Sequence, residues 1–506
     1  MPRTAVLLTL LGALLVAILA AALRPLAEPD EGRYGEAARE MTETGDWLLP
    51  RQNGRLYPDK PPGVYWAMAL SLEILGTRAF AIRLPALLAY ALLLLLLLRP
   101  PSWAASAPAS VRPLAAVFLA TCPLSLVLAE LATLDSVLSL TVAAAVLAGW
   151  RLLAEDRPAS ARACGAALGL SFLVKGPVGP VLSLAILAVA GARARLPLRR
   201  LLRPGLLLPA LLLGLPWYLL AALQRPQLLD FWILRETVGR VASDVHARAQ
   251  PLWFFPALAL GLALPWLPAL LLGRRPAPGA GPAEDPGRSA ACALGSLPAV
   301  WAFLPVLFFS LPASKQPAYL APAVPGLALW IGLRLARRPA PRAAAAAAAA
   351  LLALAAAALV WSLEPGRIRS IDPLARTLVE EGARDWEGAQ VLDWAYGLSF
   401  RLERPDFHAF GAAPRAWSFE EGEKGPPPAD PGERSRRAAR RRERAFADAL
   451  DLLEGPQPAF VLLHETGDPG VPAAFEAAAS ARRAEVHAWG QSGRYHLYAN
   501  RPRGGR

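Results

Sequence analysis

The chain has 506 residues, of which 55% are hydrophobic and only 18% charged, and its mean hydropathy is positive. That balance excludes a wholly soluble enzyme and indicates a polytopic membrane protein, because repeated apolar runs of about 20 residues each cover a hydrocarbon core. The formal net charge of +13 sits mostly in short connectors between those runs, so it reads as a topology signal, and nucleic acid is not an expected partner.

The first apolar run, residues 4 to 23, follows a single arginine, Arg3, and is expected to be a retained first helix. Behind it comes "EPDEGRYGEAAREMTETGDWLLPRQNGRLYPDKPPGVYW", residues 28 to 66. Its first part has helical periodicity: Tyr34, Ala37, Ala38 and Met41 share one face and Arg33, Glu36, Glu40 and Glu43 fall elsewhere. An amphipathic helix lying in the membrane interface is expected here, in a first outer loop spanning 24–78. Asp30 and Glu31 open that helix, where the dipole favours a carboxylate, so Asp30 is a candidate N-cap as well as a candidate functional group.

Further apolar runs continue to about residue 362, and about eleven spans fit, within a range of about 11–13. Arginine-rich connectors such as "GARARLPLRRLLRPG" and "RLARRPAPR" alternate onto one side, which the positive-inside rule makes cytoplasmic. The opposite loops hold Asp30, Asp135, Lys175, His246 and Lys315. The weak step is "VKGPVGP": its two short arms form either a hairpin or one bent helix. Cys122, Cys164 and Cys292 have no paired spacing, so neither a disulfide framework nor a zinc site is indicated.

Beyond residue 362 the pattern changes. "AQVLDWAYGLSFRL", "PAFVLLHE", "AEVHAWG" and "GRYHLYAN" read as strands, and "DPLARTLVEEGARDW" and "AAFEAAASARRAE" as helices. The expected architecture is a transmembrane domain over 1–362 and a small extramembrane α/β domain over 363–506. "RSRRAARRRERAFADAL", residues 434 to 450, reads either as a solvated amphipathic helix or as a surface attracted to lipid phosphates.

The stretch "PDEGRYGEAAREM…GDWLLPRQNGRLYPDKPPGVYW" resembles the first external loop of the lipid-carrier-dependent glycosyltransferases of the GT-C class, related to lipid A aminoarabinose transferase and protein O-mannosyltransferases. "LATLDSVLSL", "FLVKGPVGPV", "FWILRETVGRV" and "FFSLPASKQPAYLAPAVP" continue the likeness in order through the membrane half. Relatives usually carry Glu where this chain has Asp59. The resemblance implies an enzyme of a bacterial inner membrane with its active site and tail domain on the periplasmic side. It would take a polyprenyl-phosphate-linked sugar donor and a glycolipid or protein acceptor, with inversion at the anomeric carbon.

That chemistry assigns the candidates. A departing phosphate needs cations, for which Arg33, Lys60, Arg235 and Lys315 are available. Tyr34, Tyr57, Ser314 and Tyr319 are candidates to line the donor phosphate or lipid site. An acceptor hydroxyl needs a base, for which Asp30 is the first choice, beside Glu31. Asp135 is an ionisable group in apolar sequence, hence a functional candidate, with an N-cap as its plainer reading. Lys175 caps a helix C-terminus or meets donor phosphate. No cofactor is assigned with certainty, and Asp59 and His246 are candidate ligands for a divalent metal. The competing functions are a non-catalytic lipid or sugar transporter and a protease built on Ser314 and Lys315.

Overall fold

The computed structural model describes residues 1–99, 108–233, 250–272, 288–337, 339–364, 367–392, 394–404, 406–410, 431–465 and 468–504. The chain folds as two compact units. The first comprises Met1–Leu23, Asp59–Val64 and Arg83–Val360, and the second Arg24–Pro58, Tyr65–Ile82 and Trp361–Arg506. The expected domain boundary is therefore corrected: most of the first outer loop is built into the same unit as the tail.

The first unit is helical. Among the described residues seven helices are long and apolar enough to cross a membrane, or eight if one bent pair is a single span. Three shorter apolar helices accompany them, so the expected eleven is reached only if each of those also crosses. The Arg3–Leu23 helix shows how such a helix is divided: Ala13, Ala17, Ala20 and Ala21 are buried while Leu7, Leu8, Leu11 and Leu15 are exposed. Small residues at i, i+4, i+7 and i+8 let neighbours approach, and the leucines are left to lipid. The bent pair, Val111–Thr121 and Pro123–Ala129, turns by 63°. Pro123 supplies the reason, since it donates no N–H and its ring clashes with the turn before it.

"VKGPVGP" is a hairpin. The Pro158–Lys175 helix ends at Gly176, whose φ of +70° suits a residue without a Cβ, and the Val178–Arg193 helix returns. A Cβ on Gly179 would lie 2.7 Å from the Ser171 Cβ. A continuous helix would hold those positions about 12 Å apart.

The second unit carries a five-stranded sheet in the order β4-β3-β5-β7-β6, with β3 Glu387–Val391, β4 His408–Phe410, β5 Ala459–His464, β6 His487–Ser492 and β7 Tyr495–Ala499. The pairs β3/β4 and β3/β5 are parallel, and β5/β7 and β6/β7 antiparallel. Strand β5 is central and wholly buried, which is why "AFVLLH" is continuously apolar. Its Phe460 and Leu462 enter one core with Trp489 and Leu497, and its Val461 and Leu463 enter another with Phe446 and Phe475. One expected strand is corrected. "AYGLSFRL" forms the Tyr396–Leu402 helix, because it packs on the Asp30–Thr44 helix.

That packing joins loop and tail. A Cβ on Gly32 would lie 2.4 Å from the Gly397 nitrogen, so glycine is required at the crossing. Around it, the Gly397 N–H donates to Glu28 Oε1 at 2.5 Å, the Leu26 N–H to Asp372 Oδ2 at 3.0 Å, and the Ser399 hydroxyl to Asn53 Oδ1 at 2.5 Å. The Asp30–Thr44 helix is consequently buried from Glu31 through Met41, charged positions included. This corrects the expectation of an interfacial helix with a solvated polar face. Arg39 is held between Glu36, at 2.9 Å, and Glu43, at 2.6 Å. The Glu40 carboxylate accepts the N–H groups of Asn53 and, at 3.0 Å, Gly54, which fixes the tight turn between the two-residue strands β1 Arg51–Gln52 and β2 Arg55–Leu56.

Candidate active site

A cavity of about 390 Å³ opens in the helical unit, within the size range of small-molecule sites. Its lining includes the polar residues Asp59, Lys60, Lys175 and Ser314 and the apolar or aromatic residues Val181, Tyr218, Trp232, Phe308, Phe309 and Tyr319. Lys175 reaches it because Gly176 ends the preceding helix there. The Lys175 ammonium makes a 2.5 Å ion pair with Asp135 and stands 5.0 Å from the centre of the Tyr319 ring. Lys60 arrives by close backbone contact. Gly63 lies on the same helix end, where a Cβ would meet the Leu173 carbonyl oxygen at 2.7 Å. The Lys60 ammonium donates to the Asp59 carbonyl at 2.7 Å.

Part of the lining belongs to an aromatic cluster. The Tyr218 ring centre lies 4.7 Å from that of Phe172 in a tilted pair and 4.9 Å from that of Trp232 in an edge-on pair, and Trp217 lies 5.0 Å from Trp232. A cavity lined by two lysines and several aromatic rings suits a ligand that carries both an anionic group and an apolar part.

The structure distributes the sequence candidates as follows. Asp59, Lys60, Ser314 and Tyr319 line the cavity. Asp135 is not in its lining and acts on it through Lys175. Asp135 is the first residue of the Asp135–Glu155 helix, so it is not an N-cap. Lys315 is corrected: it is 4% exposed, and its ammonium donates to the backbone carbonyls of Gln250 at 2.8 Å and Pro312 at 2.7 Å. With its donors spent on carbonyls it pins the loop and offers nothing to a phosphate. The same contacts remove the Ser-Lys protease reading, because the lysine is turned away and Ser314 Oγ is buried without a partner among the described residues. Arg235 and His246 lie outside the described residues.

Asp30, Glu31, Arg33, Tyr34 and Tyr57 belong to the second unit. Asp30 is the first helical residue and pairs with Arg33, while its side chain stays 42% exposed. Glu31 Oε2 accepts the Ala27 N–H at 2.8 Å, a contact with the segment that enters the helix. The Arg33 guanidinium lies 5.0 Å from the Tyr34 ring, Tyr65 lies 5.8 Å from Tyr34, and Tyr57 lies 6.3 Å from Tyr65. Burial opposes the Arg33 charge, but Tyr57, Tyr34 and Asp30 outweigh it and hold its pKa above the ordinary value.

Sequence reasoning left Lys175 undecided and missed the aromatic part of the lining. The signal for the lysine was present: a lone Asp and a lone Lys in apolar segments neutralise each other at least cost. Among the described residues no three His, Cys, Asp or Glu side chains come together as a metal site, and Asp59 brings one carboxylate to the cavity.

Residues 59–221 match the family described as dolichyl-phosphate-mannose-protein mannosyltransferase. Undecaprenyl phosphate-alpha-4-amino-4-deoxy-L-arabinose arabinosyl transferases are similar over part of the chain. That of Serratia proteamaculans is 30% identical over 323 residues, 60% of this chain and 54% of the relative, and that of Edwardsiella ictaluri is 32% identical over 318, 60% and 55%. The match thus spans about half the length of these relatives. ArnT from Cupriavidus metallidurans, solved bound to undecaprenyl phosphate, superposes with a TM-score of 0.76 at 22% identity over 99% of both chains. The chain is similar to these transferases over part of its length and shares the fold of ArnT. That fold is a multi-span helical membrane part with a small sheet domain.

Proposed function

We propose that this GT-C relative is an integral-membrane glycosyltransferase. It transfers a sugar, a pentose in the nearest analogy, from a polyprenyl phosphate to a lipid A-like glycolipid at the periplasmic face of a bacterial inner membrane. The observation that carries the reading is the cavity itself, whose lining combines Lys60 and Lys175 with Tyr218 and Trp232. An amphipathic donor of this kind has the same combination, a charged phosphate followed by isoprene. The names of the relatives, undecaprenyl phosphate-sugar arabinosyl transferases, supply the donor class.

In this mechanism the bond between the anomeric carbon and the phosphate oxygen breaks as the acceptor oxygen bonds to the opposite face. The electron pair goes to the phosphate, where Lys60 and Lys175 absorb the developing charge. Asp135 holds Lys175 in position. When the acceptor is a hydroxyl its proton passes to a base, for which the sequence offers Asp30; an ionised acceptor phosphate needs none. Arg33 fixes the Asp30 carboxylate. Any divalent cation would draw on Asp59 at the cavity.

The test is mass spectrometry of envelope glycolipids and glycoproteins with and without the protein, followed by transfer from a purified polyprenyl-phosphate sugar. A sugar added to a glycolipid, lost in Asp30→Asn with donor binding intact, supports the proposal. Donor transport without any covalent product overturns it.

A further inference from the structure

The helix Pro431–Glu454 turns an apolar face to the sheet, burying Ala445, Phe446, Ala449, Leu450 and Leu453. Its other side is basic. Arg440, Arg441 and Arg444 are exposed, and among the described residues no ion pair engages them. At about 100° per residue, positions 440, 441 and 444 fall opposite the buried positions 446, 449 and 453. The sequence places seven arginines against one glutamate between 434 and 444.

Helix stability does not account for this arrangement. Arg440 and Arg444 stand four residues apart, and like charges at that spacing repel. Nor do the acids of the neighbourhood neutralise them. Asp468 is taken by Arg442 at 3.0 Å, and Asp451 and Glu454 by Arg482 at 2.5 and 3.4 Å. Glu443 and Asp448 are the remaining acids between positions 440 and 450. A cost that folding does not recover points to an external anion.

We infer that this arginine face docks on an anionic lipid surface, binding the phosphate groups of its headgroups. Guanidinium forks match phosphate oxygens two at a time. No aromatic side chain stands among Arg440, Arg441 and Arg444 to stack on bases, as a nucleic-acid platform would require. The chain also enters this domain from Pro341–Ser362, an apolar helix long enough to cross a bilayer. The inference rests on the chain being a membrane protein and does not depend on sugar transfer. If the acceptor is a phosphorylated glycolipid, the same face gathers it.

The experiment holds the full-length protein in phosphatidylcholine nanodiscs and titrates it with vesicles of phosphatidylcholine, with or without phosphatidic acid. Wild type binds the phosphatidic acid vesicles, more weakly as salt rises. The triple substitution Arg440→Gln, Arg441→Gln, Arg444→Gln lowers that affinity by about 100-fold, and the corresponding lysine triple retains most of it. Lys175→Gln, which alters only the cavity, binds the vesicles as wild type does. The inference is overturned if the glutamine triple, melting at the wild-type temperature, binds equally well. It is also overturned if wild type prefers duplex DNA or soluble tripolyphosphate to the vesicles.

Discussion

Lys175 and Lys315 are both withdrawn from bulk water, and their neighbours give them opposite uses. Carbonyl oxygens saturate the Lys315 ammonium, whereas Lys175 is held on one side by Asp135 and lines the cavity with the other. Lys175→Gln is therefore expected to weaken undecaprenyl phosphate binding by about 10- to 100-fold, the range of a charge-assisted hydrogen bond. Lys315→Gln should leave that affinity near wild type and lower the melting temperature. Calorimetric titration of the two variants separates them, and equal losses of affinity would contradict the assignment. A single sequence could offer both lysines but could not rank them, because the ranking depends on which carbonyls and carboxylates surround each ammonium.

Glu28 extends the residue scale to pH. Burial raises its pKa from the ordinary 4.5 to about 8, and the Gly397 N–H and Arg369 offset only part of that. Between those two values the folded state retains a proton that the unfolded chain has released, so stability falls as pH rises from about 4.5 to 8. Glu28→Gln, which mimics the protonated form, should flatten that fall. Thermal melting of the solubilised protein across the window is the measurement, and parallel slopes in the two proteins would refute the assignment.

At the scale of elements, two glycines place the lysines that line the cavity. Gly176 stops one helix at Lys175, and Gly63 lets the Lys60 turn lie against the Leu173 carbonyl. The added methyl of Gly63→Ala would sit 2.7 Å from that backbone oxygen, which cannot move as a flexible side chain would. Donor affinity is expected to fall about tenfold or more, through displacement of Lys60, while the helix content seen by circular dichroism is unchanged. Unaltered affinity would show that Lys60 does not need this contact. Both glycines stand in motifs readable in the sequence, "VKGP" and "KPPG", yet neither motif names its neighbour. The misread segment "AYGLSFRL" makes the same point from the other side. Leu398, Phe400 and Leu402 alternate as in a strand, and only packing against the Asp30–Thr44 helix selects the helical form.

For the whole molecule, the sequence carried the class of protein and the kinship. Long apolar runs have one low-energy solution in a bilayer, since every backbone polar group must be satisfied within its own helix, and that holds whatever the neighbours are. The strands β5, β6 and β7 were legible for a similar reason, being short apolar or alternating runs bounded by turns. The tertiary structure decided the rest. It joined most of residues 24–82 to the tail, through Glu28 with Gly397 and Asn53 with Ser399, pairs separated by more than 340 positions. It turned a helix that reads as half-solvated into a buried one, and it chose Lys175 over Lys315. Local periodicity reports what a segment can bury, but contacts between distant segments fix what meets it there, and the placement of each charge follows from those contacts.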